Sequence, residues 1–307
     1  MNESPLWYNV LQWYVMSLII GIDVGATTTK AVSIENERLV RKVKIEASDA
    51  VTAATGAFGK IVLENKIKLN LIKEIKITGA GAAKIKNNIF GIKTSRINEI
   101  TAIGTGGMFL SGMKNIIIAN IGTGTAIIDA NEKGIFHYGG SGVGGGTITG
   151  LAKKLLPTSE FNDVVKLAQT GCLDKVDLLL EDIMDTDISF LNKKTTVANF
   201  GKMSDNAASE DIALAILNMV YQVIGMLSVF AARAKNLNSV VVTGNGSGNK
   251  LGQKILTDVI TKMYGIEFIF PDNAEYTTAI GAGLSNTAGV LQKNTSPPLL
   301  NIHEAEK

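Results

Sequence analysis

GGSGVGGGTITG, residues 139–150, decides how this chain reads. Seven of its twelve residues are glycine, and it runs straight into the apolar, lysine-bearing LAKKLL of residues 151–156. Glycine at this density weakens a strand or a helix, because it loses more backbone freedom on folding than any other residue. It offers instead a close approach of backbone N–H groups to an anion, where a loop feeds a helix N-terminus. A flexible linker would be Gly/Ser/Pro-rich with polar flanks. Here strand-like sequence precedes the loop and helix-like sequence follows it, so the stretch reads as a phosphate-holding loop.

Outward from it, three further glycine turns sit at strand ends. The first is Asp23-Val24-Gly25-Ala26-Thr27-Thr28-Thr29-Lys30, after the apolar run SLIIGID of residues 17–23. Gly25 permits a tight turn, Thr27, Thr28 and Thr29 offer hydroxyl and amide donors, and Lys30 supplies positive charge. Asp23, at the strand end, is well typed to hold Mg²⁺ through water. A D-x-G between strands is also ordinary hairpin chemistry, so this turn gains weight only beside the others. The second turn is Gly122-Thr123-Gly124-Thr125, and the third is Gly244-Asn245-Gly246-Ser247-Gly248. No GxxxxGK[ST] occurs, and no GxGxxG follows a strand with an acidic partner, so neither a P-loop nor a Rossmann site is supported.

The remaining pattern is that of a mixed α/β chain. TTTKAVSI and RLVRKVKI flank a turn at residues 35–37, residues 50–64 read as a helix, and EIKITG is a further strand. INEITAIGTGGMFL reads as a helix with Glu99 in its first turns. NIIIANIGTGTAIIDANEKGIFHYGG then alternates strand, turn, strand, turn, strand, a pattern similar to that around Asp23. Two such units predict an internally duplicated architecture, with lobes at residues 17–115 and 116–290. Residues 151–200 are expected to be mostly helical, residues 250–263 helical, EFIFP a last strand and EYTTAIGAGLS a last helix. Residues 1–16, with Met16 as a second possible start, read as an extension or start artefact, and 291–307 as a frayed tail.

Bulk properties narrow the function. With 307 residues, 46% apolar and 19% charged, the chain can bury a large core. Thirty basic against 28 acidic residues gives no electrostatic case for nucleic acid. One cysteine, Cys172, and two histidines, His137 and His303, rule out a cysteine zinc site and disfavour any transition-metal centre, and a reduced, cytoplasmic setting is expected. Residues 212–232 carry no charge for 21 residues. Asn218 and Gln222, one turn apart, and the strand that follows favour a buried core or dimer-interface helix over a membrane span.

Two phosphate-binding hairpins and an adenosine turn between two lobes resemble the actin–hexokinase–sugar-kinase superfamily. More closely, GIDVGATTTK, ANIGTGTA, GGSGVGGGTITGL, VANFG and VVVTGNGSG occur in the order seen in type II pantothenate kinases, a resemblance running from about residue 18 to 285. It implies an α/β fold of two duplicated, ribonuclease-H-like lobes with an ATP cleft between them. It further implies ATP contacts from Asp23, Gly25, Ala26, Thr27, Thr28, Thr29 and Lys30, and from Gly122, Thr123 and Gly124. Gly144, Gly145, Gly146, Thr147 and Thr149 would add the glycine-rich wall, with Gly244, Asn245 and Gly246 near the nucleotide and Mg²⁺ at Asp23. Glu99 falls at the family's catalytic carboxylate, in keeping with the need for a base within reach of an alcohol in phosphoryl transfer. An acidic residue in a helix's first turn is favoured by the dipole in any case; the motif order puts catalysis ahead.

The acceptor side would involve Glu99, Ala126, His137 and Gly140. Two of these depart from the family: His137 stands where it usually carries Arg, and Ala126 where it tends to have Ser. Histidine cannot reproduce the fixed bidentate charge of arginine. The expected activity is ATP-dependent phosphorylation of a small primary alcohol, pantothenate or a related compound, by a cytoplasmic homodimer without nucleic-acid or membrane partners. The strings GIDVGATTTKAV and NEITA also resemble the ATP-dependent activators of 2-hydroxyacyl-CoA dehydratases, which hold an iron–sulfur cluster with two cysteines per subunit. Cys172 alone provides half of that set in a dimer. The alternative is therefore a nucleotide-driven ATPase acting on a protein partner without a cluster. A sugar-responsive repressor would need a DNA-binding segment that the chain does not show.

Overall fold

β1 (Leu18–Val24) is apolar along most of its length because both of its faces are covered. The computed structural model describes residues 18–46, 49–184 and 192–286; the expected extension and tail lie outside these. β1 pairs antiparallel with β2 (Thr28–Glu35), which returns through Asn36 and Glu37 into β3 (Arg38–Glu46). Asn36 and Glu37 have φ of 47° and 60°, the mirror-image turn that suits the twist of a two-residue hairpin. α1 (Ala50–Glu64) starts at Asp49, whose carboxylate accepts from Thr52 N at 2.7 Å, and lays Ala54, Ala57, Phe58 and Ile61 on the sheet. β4 (Ile72–Thr78) joins β1 in parallel, and β5 (Thr94–Arg96) completes the order β3-β2-β1-β4-β5.

After α2 (Glu99–Ser111) the pattern repeats. β6 (Ile116–Ile121), β7 (Thr125–Asn131) and β8 (Gly134–Ser141) form an antiparallel meander. α3 (Gly145–Leu155), α4 (Phe161–Ala168), the short pair β9 (Leu178–Leu179) and β10 (Thr196–Ala198), and α5 (Ser209–Ala234) follow. β11 (Ser239–Thr243) then pairs in parallel with β6. α6 (Lys250–Lys254) continues through a π-helical run, Ile255–Thr261, into α7 (Lys262–Tyr264). β12 (Glu267–Ile269) and α8 (Thr277–Leu284) close the described chain. The second sheet reads β8-β7-β6-β11-β12, the same order and the same strand directions as the first. The expected duplication is present.

The two halves exchange helices. α2 packs Ile103 against Ile116, Ile118 and Ile128 of the second sheet, whereas α8 packs Ala279 and Ile280 against Val32 and Ile34 of the first. A cut between residues 115 and 116 therefore separates the two sheets but not their helices. α2 and α8 cross at a distance only glycine allows. A Cβ on Gly281 would lie 1.7 Å from Ala102 O, and one on Gly106 would lie 2.0 Å from Thr277 O.

Two expectations are corrected here. Residues 169–184 and 192–200 are not mostly helical: beyond α4 these described residues run as short turns and the β9–β10 pair. Asp177 is fully buried and needs donors. It takes them from Phe200 N (2.9 Å), Asn218 Nδ2 (2.9 Å) and Thr196 Oγ1 (3.2 Å), which holds β10 and the turn after it against α5. The glycine-rich stretch is also less of a loop than its composition suggests. Pairing with β7 keeps Gly139, Gly140 and Ser141 in β8, and α3 begins at Gly145, leaving residues 142–144 as the loop.

The uncharged stretch lies within α5, a core helix that buries Ala213, Ile216, Leu217, Val220 and Ile224 in the second lobe. Its polar Asn218 is satisfied by Asp177 rather than by solvent. One stripe, Val223, Leu227 and Phe230, stays partly open, with Phe230 59% exposed.

Candidate active site

The strand order carries both glycine hairpins and both parallel-strand turns to the facing ends of the sheets, and a cleft of roughly 420 Å³ opens there. In the first hairpin Asp23 pairs with Lys30, and Gly25 N donates to Thr28 O at 3.2 Å. A Cβ on Gly25 would meet that same oxygen at 2.7 Å, so the turn requires glycine. Asp23, Gly25, Ala26, Thr27, Thr28 and Lys30 all line the cleft. Thr29 does not: the two-residue alternation of β2 turns it into the protein, where its hydroxyl is buried and unpartnered.

The second hairpin brings Gly122, Thr123, Gly124, Thr125 and Ala126 to the opposite wall. Behind it stands the glycine-rich segment, packed onto the back of this turn. Gly145 N donates to Gly122 O and Gly146 N to Thr123 O, both at 2.9 Å. A Cβ on Gly144 would lie 2.7 Å from Thr123 O. The Thr147 hydroxyl donates to Gly142 O and that of Thr149 to Gly145 O, at 3.1 and 3.3 Å. The first amides of α3 thus hold the hairpin instead of facing the cleft, and none of Gly144, Gly145, Gly146, Thr147 or Thr149 lines it. A helix N-terminus binds whatever acceptor fills it first; here that is the protein's own turn.

The third turn supplies Gly244 and Asn245. Gly244 has φ of 83°, and a Cβ there would meet Ile121 O at 2.5 Å. Asn245 Nδ2 donates to Thr28 Oγ1 at 3.2 Å, linking the two halves across the cleft mouth. Gly246 is buried beneath, its carbonyl accepting from Tyr221 Oη at 2.7 Å, and does not line the cleft.

Glu99 is the first residue of α2. Asn98 caps that helix by accepting from Thr101 N at 3.1 Å, which aims the Glu99 carboxylate into the cleft beside Asp23. Glu99 is exposed to solvent on the open side of the cleft, and partial desolvation by the surrounding wall raises its pKa. Asp23 is pushed up to about 6, first by burial, with Lys30 opposing and the nearby Glu99 charge adding to the rise. Lys30 Nζ is 4.0 Å from Asp23 Oδ2, and burial depresses its pKa against the pull of that carboxylate. A buried carboxylate compensated this weakly favours a further cation.

The acceptor candidates divide. Ala126 lines the cleft; Gly140 lies directly opposite it on β8, where a Cβ would meet Thr125 O at 2.6 Å. His137 is exposed, opposite Ile128 further along β8, and does not reach the cleft. Sequence reasoning missed Ala80, Ile100, Ile103, Asn120, Ser141 and Thr278, which also line it. Asn120 could have been found by superposing the two units, since Asn120-Ile121-Gly122 repeats Asp23-Val24-Gly25.

A family model described as Fumble matches residues 49–285. A type II pantothenate kinase of Bacillus cereus is 30% identical over 283 residues, covering 89% of this chain and all of the relative. That of Oceanobacillus iheyensis is 28% identical, covering 87% of this chain and 99% of the relative. Among solved structures, the activator of the 2-hydroxyisocaproyl-CoA dehydratase from Clostridium difficile with bound ADPNP aligns with a TM-score of 0.62 at 19% identity, over 87% of this chain and 92% of that one. A ROK family glucokinase from Streptomyces griseus in complex with glucose and AMPPNP aligns at 0.55 and 12%, over 87% of this chain and 98% of that one. At these identities the two structures speak for the fold: two related lobes of the kind found in this group of ATPases and sugar kinases.

Proposed function

This chain belongs to the type II pantothenate kinase family matched by the Fumble model, and from that premise we propose that it transfers the γ-phosphoryl group of ATP to the primary hydroxyl of pantothenate or a close relative, the entry step of coenzyme A biosynthesis. The observation that carries this reading is the meeting, in one cleft, of two carboxylates with raised pKa, a lysine and glycine turns from both sheets. Glu99 accepts the hydroxyl proton as the alcohol oxygen forms its bond to the γ-phosphorus. The bond to the β,γ-bridging oxygen breaks, and ADP leaves with that electron pair. A raised pKa brings the base nearer the working pH, which suits a proton acceptor.

Lys30, the Thr28 and Thr123 hydroxyls and the hairpin amides offset phosphate charge. Asp23 would hold Mg²⁺, a role its weakly compensated buried carboxylate fits, because Mg²⁺ asks for only one or two carboxylates besides phosphate and water. When bound, that ion would neutralise charge on the β- and γ-phosphates. Ala126 and Gly140 face each other where a small acceptor would rest, and His137 acts, if at all, from outside the cleft. The partly open α5 stripe is the surface for a homodimer, and the setting is the cytoplasm.

Glu99→Gln is expected to abolish transfer while leaving ATP binding within about twofold. A variant with near-normal turnover removes Glu99 from the mechanism. ADP release measured against pantothenate, pantetheine and common sugars identifies the acceptor. Release indifferent to every alcohol but raised by a protein partner would overturn the kinase reading in favour of an ATPase switch.

A further inference from the structure

The duplication extends to side chains, and it breaks at one pair. In the first half, Asp23 at the end of β1 lies beside Thr78 at the end of β4, and Gly79 follows with φ of 86°. In the second half, Asn120 of β6 lies beside Thr243 of β11, and Gly244 follows with φ of 83°. Both strand-end residues line the cleft. The Thr78 hydroxyl is buried and finds no partner among the described residues, while the Thr243 hydroxyl donates to Asn120 Oδ1 at 2.9 Å. That oxygen also faces the Gly244 turn, 3.0 Å from where a Cβ would stand. With its oxygen held on that side, the amide nitrogen of this cleft-lining residue has no acceptor among the described residues.

We propose that Asn120 Nδ2 is a phosphate-binding donor for the terminal phosphoryl group of the nucleotide, and that Thr243 is a positioning residue that fixes the amide in that orientation. The proposal rests on the nucleotide reading of the cleft given above. A cleft for a polyanion already holds two carboxylates, Asp23 and Glu99, and a third at the mirror position would face phosphate charge with nothing to donate. An amide keeps the shape of aspartate but presents N–H groups and no charge. The duplicated fold thus has a carboxylate at one strand end and a donor at the other.

Asn120→Asp keeps the acceptor for Thr243 but replaces the donor by a charge that repels phosphate, so Asn120→Leu, which removes the donor without adding charge, is measured beside it and must show a loss in the same direction. Direct calorimetric binding of Mg²⁺·AMPPNP and of Mg²⁺·ADP supplies the readout, independent of any acceptor. Asn120→Leu is expected to weaken AMPPNP binding by about tenfold while leaving ADP within about twofold, the loss of a hydrogen bond to a charged group that only the triphosphate offers, and Asn120→Asp to weaken it by up to about a hundredfold as repulsion adds to that loss. Thr243→Val is expected to lower the AMPPNP-to-ADP affinity ratio by about threefold or more, and Thr243→Ser to restore it. A merely structural role for Thr243 would move both nucleotides together. An unchanged ratio in Asn120→Leu and Thr243→Val overturns the assignment, as does a loss confined to the KM of the alcohol. If the wild-type protein binds neither nucleotide, the reading of the cleft falls and Asn120 with it. Normal nucleotide binding with an unmoved ratio removes Asn120 alone.

Discussion

Replacing Asp23 by asparagine should disable the protein and remove a pH-dependent loss of stability from its nucleotide-free state. The carboxyl is buried against the β4 turn, with Lys30 4.0 Å away as its charged partner and Glu99 near enough to oppose ionisation. A rise in pKa from 3.8 to about 6 means the folded state holds the proton more tightly than the unfolded chain. At about 1.4 kcal/mol per tenfold change in proton affinity, this amounts to about 3 kcal/mol. Between roughly pH 4 and 6 the folded state carries more protons than the unfolded one, so stability falls as pH rises through that window and levels off above it. Asparagine does not titrate and escapes the loss. Lys30 loses its counter-charge in the variant, an offset that stays nearly constant while the lysine remains protonated. The variant-minus-wild-type difference should therefore climb by about 3 kcal/mol from pH 4 to 7, on the order of 5–10 °C in Tm for a chain of this size. Paired thermal unfolding by circular dichroism at half-unit steps of pH, without nucleotide, measures it. A difference that is flat across the window, or that falls with pH, would refute the account of Asp23.

Three further outcomes are expected. Gly281→Ala should cost about 3 kcal/mol or more in chemical denaturation, because its Cβ has no room against Ala102 O, whereas Gly150→Ala, with nothing within 4 Å inside α3, should add up to about 1 kcal/mol. Tyr221→Phe removes the donor to Gly246 O in the core, and should cost about 1–2 kcal/mol while loosening the Gly244–Asn245 turn, seen as faster hydrogen exchange there. Partial desolvation raises the Glu99 pKa, so the acidic limb of kcat/KM should lie above the ordinary range of a glutamate, with activity lost as pH falls through it; a limb at the ordinary position would place the base elsewhere.

Local physics made much of this protein legible along the chain. Hydrophobic runs ending in glycine turns marked β1, β4, β6 and β11 with their neighbours. The repeated meander disclosed the duplication, and the segment around Glu99 was legible as a helix, while its cap at Asn98 came from the structure. Asp23 and Lys30 were legible as a strand end and the charge after its turn, whereas Glu99 and Asn245 were singled out through the family resemblance, and the fold brings all four to one cleft. The segment behind α4 was misread because its conformation is set by Asp177, a buried charge whose donors lie on β10 and α5, far away in sequence.

The glycine-rich stretch that opens the reading shows where the division falls. Its composition determined that backbone would approach backbone closely at a helix start, since no side chain could fit there. Only the tertiary structure decided what approaches: the carbonyls of Gly122 and Thr123, which occupy the α3 amides before any phosphate could. The same holds for α2 and α8, whose glycines announce a tight crossing without naming the partner, and for Asn120, whose donor end is chosen by a threonine 123 residues away. Steric permission is local and is written in residue type. The choice of hydrogen-bond partner depends on which distant groups the two sheets bring within 3 Å, and that is a property of the folded chain.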